Sequence, residues 1–85
     1  MYYTYVLYSV KFDRIYIGQS NDLNIRLEWH NKGKVRSTKA YIPWSMIHYE
    51  NFKTRSDAMK REKELKSHKG RDFVRELVRV RQLPD

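Results

Sequence analysis

Residues 2–18, YYTYVLYSV-KFDR-IYIG, decide the fold of this chain. Residues 2–10 are dense in Tyr, Val, Leu and Thr, side chains that suit a pleated, half-buried surface. Lys11-Phe12-Asp13-Arg14 is a polar break, and Ile15-Tyr16-Ile17-Gly18 resumes strand character. The two halves read as an antiparallel hairpin. Period-two alternation puts Ile15 and Ile17 on one face of it and Tyr16 on the other.

Downstream of the hairpin, Asn21 or Asp22 can cap a first helix that reaches about Lys32, with Gly33 in the C-terminal stop position. A basic loop follows, Lys34-Val35-Arg36-Ser37-Thr38-Lys39, and Pro43 opens a third strand over residues 44–50. Thr54, with Asp57 three residues on, reads as a capping box for a second helix over residues 55–69 that Gly70 ends. A third helix is expected over residues 71–81, with Phe73, Val74, Leu77 and Val78 inward and Arg71, Arg75 and Arg79 outward. The order β-β-α-β-α-α describes an α+β fold with a small antiparallel sheet, in one domain over residues 1–85.

Composition narrows the function. There is no cysteine, which excludes disulfide scaffolds, thiolate zinc sites and thiol nucleophiles. The first residues lack the basic start and cleavage site of a signal peptide, and no apolar run is long enough to span a membrane. A cytoplasmic protein is therefore expected. Eighteen Lys and Arg stand against ten Asp and Glu, giving a net charge of +8. Residues 1–31 are neutral, with Lys11, Arg14 and Arg26 balanced by Asp13, Asp22 and Glu28, so the whole excess follows Lys32. Such a one-sided excess suits a polyanion, nucleic acid above all; the plain alternative is a surface kept basic for solubility.

Three polar residues fall where apolar ones belong. On the first helix Arg26 and His30, four residues apart, share the arc of Leu23 and Leu27 that faces the protein. An inward Arg is costly unless it meets an anion, lines a cleft or snorkels to the edge, and an inward His can simply pack against a sheet. On the second helix Glu62 shares the narrow stripe of Ala58 and Leu65 among flanking lysines. It is either half of a salt bridge with Arg26 or a lone inward carboxylate for a hard divalent cation. The inventory of a carboxylate, an Arg, a His and several Tyr can serve phosphodiester hydrolysis, which needs a metal, a cation for transition-state charge and a base for water. It offers no serine triad and no phosphate-cradling glycine loop.

The ordered motifs resemble the GIY-YIG nuclease superfamily, closest to its short stand-alone bacterial members. They are Tyr3-Thr4-Tyr5, Tyr16-Ile17-Gly18, Asp22-Leu23, Arg26-Leu27, His30-Asn31-Lys32-Gly33, Pro43-Trp44 and Ala58 through Lys66, covering about residues 2–78. The resemblance implies a three-stranded antiparallel sheet flanked by helices and a single Mg2+ or Mn2+. It also implies roles: Tyr5 and Tyr16 as tyrosines that orient or deprotonate the attacking water, Arg26 as the phosphate-contacting arginine, His30 beside the active site and Glu62 as the metal ligand. The expected function is a metal-dependent endonuclease acting on nucleic acid, DNA ahead of RNA, through structure rather than sequence. No protein partner is called for. Lys34, Arg36, Lys39, Lys60, Lys63 and Lys66 are the expected nucleic-acid contacts. The rival reading is a nucleic-acid-binding module of the same fold without turnover.

Overall fold

The structure, a computed structural model, describes residues 1–81. Its elements are β1 (Tyr2–Ser9), β2 (Arg14–Ser20), α1 (Leu23–Asn31), a 3-10 turn (Lys39–Tyr41), β3 (Ser45–Phe52), α2 (Arg55–Lys66) and α3 (His68–Arg81). The hairpin is antiparallel and pairs Tyr5 with Gly18 and Leu7 with Tyr16. Its turn is held by the Tyr8 hydroxyl donating to Asp13 Oδ1 over 2.8 Å, with Asp13 at a positive φ of 51°. β3 joins β1 on the other side, so the sheet order is β2-β1-β3 and β2 is an open edge.

Each sheet face has its own apolar cluster. On one, Val6 and Ile17 meet Leu65 of α2 and Val74 of α3. On the other, Tyr5, Leu7 and Trp44 meet Tyr16, Leu23 and Leu27. Burying a side chain such as Leu65 contributes roughly 2 kcal/mol. A buried Thr4 hydroxyl also donates 2.6 Å to the Ala58 carbonyl, fastening α2 across β1.

The helix starts follow the capping residues. The side chain of Asp22 accepts from Ile25 N at 3.0 Å and that of Thr54 from Asp57 N at 3.1 Å. Gly33, at φ 75°, stops α1 as expected: its N–H reaches the His30 carbonyl and that of Lys34 reaches the Trp29 carbonyl, a Schellman closure.

Gly70 does a different job from the one expected. α2 ends at Lys66, where Ser67 caps it and its hydroxyl donates to the Glu64 carbonyl, so α3 begins at His68 and Gly70 lies inside its first turn. A Cβ on Gly70 would stand 2.2 Å from the Glu64 carbonyl oxygen and 2.4 Å from Leu65 Cα. The glycine permits a close helix–helix approach rather than a stop. Phe73, expected inward, is 40% exposed and packs edge-on against His48, because α3 turns Val74 and Val78 to the sheet. β3 starts at Ser45, one residue after the expected Trp44, which is pinned by Asn31. Among the described residues, no helix is long and apolar enough to cross a membrane.

Candidate active site at the open sheet edge

Tyr5 lies on the middle strand opposite Gly18 of the edge strand. A Cβ at Gly18 would sit 2.7 Å from the Tyr5 hydroxyl and 3.0 Å from the Tyr16 ring, so only glycine leaves room for the phenol. The Tyr5 and Tyr16 rings stand 6.3 Å apart, and Tyr16 lies 4.8 Å from the imidazole of His30.

His30 is fully buried and both ring nitrogens are engaged. The Thr38 hydroxyl donates to the Val35 carbonyl at 3.3 Å, so toward His30 Nδ1, 2.8 Å away, it acts as an acceptor. The proton therefore resides on Nδ1, and Nε2 accepts the Tyr5 O–H over 3.0 Å. Thr38 is itself fixed by Trp44, whose indole donates 2.9 Å to its carbonyl, while Asn31 clamps Trp44 from both sides of its backbone.

Burial, with the Arg26 charge beside it, holds His30 down to about 4, so the imidazole is neutral at physiological pH. Burial pushes the Tyr5 phenol up to about 12. The Arg26 guanidinium opposes that rise, while Tyr16 and the Glu62 carboxylate add to it. Four side chains, His30, Arg26, Tyr16 and Glu62, thus act on one oxygen, the Tyr5 hydroxyl.

Arg26 is half-buried on α1, its guanidinium 5.4 Å from the Trp29 ring centre. Its Nε is buried with no hydrogen-bond partner among the described residues. Leaving a buried donor unpaired costs about 1–3 kcal/mol, and a phosphate oxygen is an acceptor of the right charge.

Glu62 projects from α2 with 23% of its side chain exposed, and Lys66 one turn on pairs with it at 2.6 Å. The ion pair with Arg26 weighed from the sequence does not form; the nearer cation wins. Among the described residues no three His, Asp or Glu side chains converge. The donor set is then one hard carboxylate, which fits an ion that keeps most of its waters, as magnesium does.

The structure thus brings Tyr5, Tyr16, Arg26 and His30 together with Glu62 in electrostatic reach, and places His30 behind Tyr5, away from solvent. Lys34, Arg36, Lys39, Lys60, Lys63 and Lys66 are all exposed. Thr38, buried at 1% exposure, is the site residue that the sequence does not reveal, because it sits in a stretch whose charge reads as a solvated loop.

The family model for the GIY-YIG catalytic domain matches residues 1–75. UPF0213 proteins of Staphylococcus aureus, strains Mu3 and Mu50 among them, are 38% identical over 55 residues, covering 64% of this chain and 67% of theirs. The solution NMR structure of a UPF0213 protein from Bacillus halodurans superposes with a TM-score of 0.52 at 27% identity, over 91% of this chain and 85% of that one.

Proposed function

This chain belongs to the GIY-YIG catalytic-domain family, a nuclease-type family with nucleic-acid substrates, and from that membership we propose that it is a divalent-metal-dependent endonuclease hydrolysing DNA phosphodiesters by structure rather than sequence. The observation that carries the proposal is the convergence of His30, Arg26, Tyr16 and Glu62 on the Tyr5 hydroxyl.

In the mechanism, Tyr5 and Tyr16 orient the attacking water at Gly18. Tyr5 hands its own O–H to His30 Nε2, which leaves its oxygen lone pairs turned toward the water. A phenol held near 12 stays protonated at neutral pH and is no base by itself. The positive Arg26 beside Tyr5 favours its phenolate but, by the same charge, opposes a proton on His30, so the Tyr5–His30 pair orients the water, whose proton leaves to solvent. Arg26 Nε meets the phosphate oxygen on which charge grows in the transition state. Glu62 would hold a single Mg2+ or Mn2+, which when bound supplies charge neutralisation at the phosphate. Lys66, which pairs with Glu62 in the free chain, would then be available to the substrate backbone. The exposed Lys34, Arg36, Lys39, Lys60 and Lys63 add general attraction for the polyanion.

One observation favours the second reading, a binding module of the same fold without turnover: Lys66 already neutralises Glu62. A cleavage assay over single-stranded, duplex, flapped and branched DNA and matching RNA, with Mg2+, Mn2+ or chelator, separates the two. Metal-dependent cuts in DNA support the endonuclease. Binding without cuts under any condition supports the module.

A further inference from the structure

Two cavities open along the edge strand, and together they take in every residue of β2 except Gly18. The larger, about 570 Å³, lies against Arg14 to Ile17 and is closed on its far side by Lys66 of α2 and by Arg71, Val74 and Arg75 of α3. The smaller, about 360 Å³, lies against Gln19 and Ser20 and is closed by Ile25, Arg26 and Trp29 of α1 and by Arg55 of α2. Between them lies the glycine over which Tyr5 reaches the edge.

The chemistry of the two cavities differs. In the larger one the helices contribute three cations, of which Arg75 makes a 3.4 Å contact with Asp13 and Lys66 pairs with Glu62 at 2.6 Å. Arg14, which also borders it, holds its guanidinium over the Tyr41 ring at 4.7 Å. The smaller cavity combines Arg26 and Arg55 with an exposed aromatic face, Trp29 at 40% and its neighbour Ile25 at 47%. The acid there, Asp22, is spent on the N-cap of α1. Two buried polar atoms without a partner among the described residues, Arg26 Nε and Gln19 Oε1, belong to residues that line this cavity. Cations on one side and cations with an aromatic platform on the other are the two components of a single-strand groove.

We propose that β2 is a track for a single strand of nucleic acid, which lays its backbone against Lys66, Arg71 and Arg75, passes Gly18 and stacks a base on Trp29 beside Arg26 and Arg55. The seven residues of β2 extend about 20 Å, enough to follow several consecutive phosphates. A duplex offers no unstacked base to Trp29, so the preferred substrate is a single-stranded stretch or a junction that contains one. The track rests on the nuclease reading only for the chemistry at Gly18; its own contacts are testable without turnover.

The test is binding in chelator, by fluorescence anisotropy, of a labelled 12-nucleotide oligothymidylate and of a 12-base-pair duplex. The wild-type chain is expected to prefer the single strand. Arg71→Gln/Arg75→Gln should lower the log–log salt slope for the single strand by about 1.4, two contacts at about 0.7 each, and lose more affinity than the charge-matched Lys60→Gln/Lys63→Gln. Trp29→Ala should lose about 10-fold on the single strand and little on the duplex, with Trp29→Phe restoring most of it. Equal losses in the two double variants, or equal effects of Trp29→Ala on both ligands, overturn the track. Circular dichroism confirms that each variant is folded. A wild-type chain that cuts DNA while failing these tests keeps the nuclease and loses the track. One that passes them yet never cuts keeps the track and loses the nuclease.

Discussion

The Tyr5 hydroxyl and His30 Nε2, 3.0 Å apart, form the inner end of a hydrogen-bond chain that runs through His30 Nδ1 to the Thr38 hydroxyl and stops at the Val35 carbonyl. Every link has a direction. The terminal carbonyl can only accept, so Thr38 donates to it, His30 donates to Thr38, and Tyr5 donates to His30. The fully buried Tyr5 hydroxyl is thereby oriented by a loop carbonyl at the far end of the chain.

Neutral, buried His30 ties stability to pH. Its folded value is about 4 against an ordinary 6.5, so between the two the unfolded chain takes up a proton that the folded chain refuses. The stabilisation is complete above 6.5 and is lost as pH falls toward 4. Urea denaturation at pH 7.5 and pH 5 should differ by about 2 kcal/mol from this group. His30→Gln should remove most of that difference; an undiminished difference in the variant would assign it to another group.

Thr38→Val deletes the acceptor while keeping the shape. His30 Nδ1–H then has no acceptor, a loss of about 1–3 kcal/mol, and the imidazole no longer has its tautomer fixed. Nitrogen NMR of the His30 ring should show mixed tautomers, and cleavage should fall through kcat rather than KM. Thr38→Ser should restore both. A variant that lowers stability but leaves the tautomer and turnover as they were would reduce Thr38 to a packing role.

Gly18→Ala tests the close approach at the edge. The new methyl meets the Tyr5 hydroxyl at 2.7 Å, and the phenol is fully buried and cannot swing clear. A destabilisation of about 1–3 kcal/mol is expected, with a retained sheet and a severe loss of cleavage, because the displaced hydroxyl leaves His30 Nε2. A crystal structure of the variant with Tyr5 unmoved, or wild-type turnover, would contradict this.

What the sequence discloses of this arrangement follows a physical line. The hairpin, the caps at Asp22 and Thr54 and the stop at Gly33 rest on local chemistry, and local chemistry is what a sequence displays. Arg26 and His30 are visible because helical spacing puts them on an apolar side. Gly70 misleads because a glycine after a helix looks alike whether it ends the helix or makes room for one; the contact that decides is with the Glu64 backbone, a tertiary fact. Thr38 is hidden for the same reason, since its burial depends on Trp44 folding back over the basic loop.

Glu62→Ala should abolish metal-dependent cleavage and leave the fold nearly untouched. The ion pair with Lys66 is partly exposed and contributes less than about 1 kcal/mol. Removing a carboxylate and releasing Lys66 should leave nucleic-acid binding equal or tighter. Thermal melts, anisotropy in chelator and cleavage with Mg2+ and with Mn2+ check the three parts. Full activity with either metal would remove Glu62 from the site, and unfolding would make it a structural partner.

Arg26→Ala should lose turnover more than affinity. Its Nε has no partner among the described residues, so a bond to phosphate would be new on binding and would strengthen as charge gathers on the oxygen. Removing a single donor of that kind typically costs 10²- to 10³-fold in rate, and a loss of about 100-fold is expected in single turnover at saturating protein. Arg26→Lys keeps the charge without the planar fork and should recover only part of the rate. The same substitution carries a signal independent of cleavage. Arg26 helps to depress His30 and restrains the rise of Tyr5, so in Arg26→Ala the imidazole should titrate above about 4 and the phenol should move further up. Proton NMR of the histidine across pH 3–7 reads the first shift. An unchanged single-turnover rate with weakened binding would make Arg26 a group that positions phosphate, and an unmoved His30 would place its charge outside the Tyr5–His30 pair.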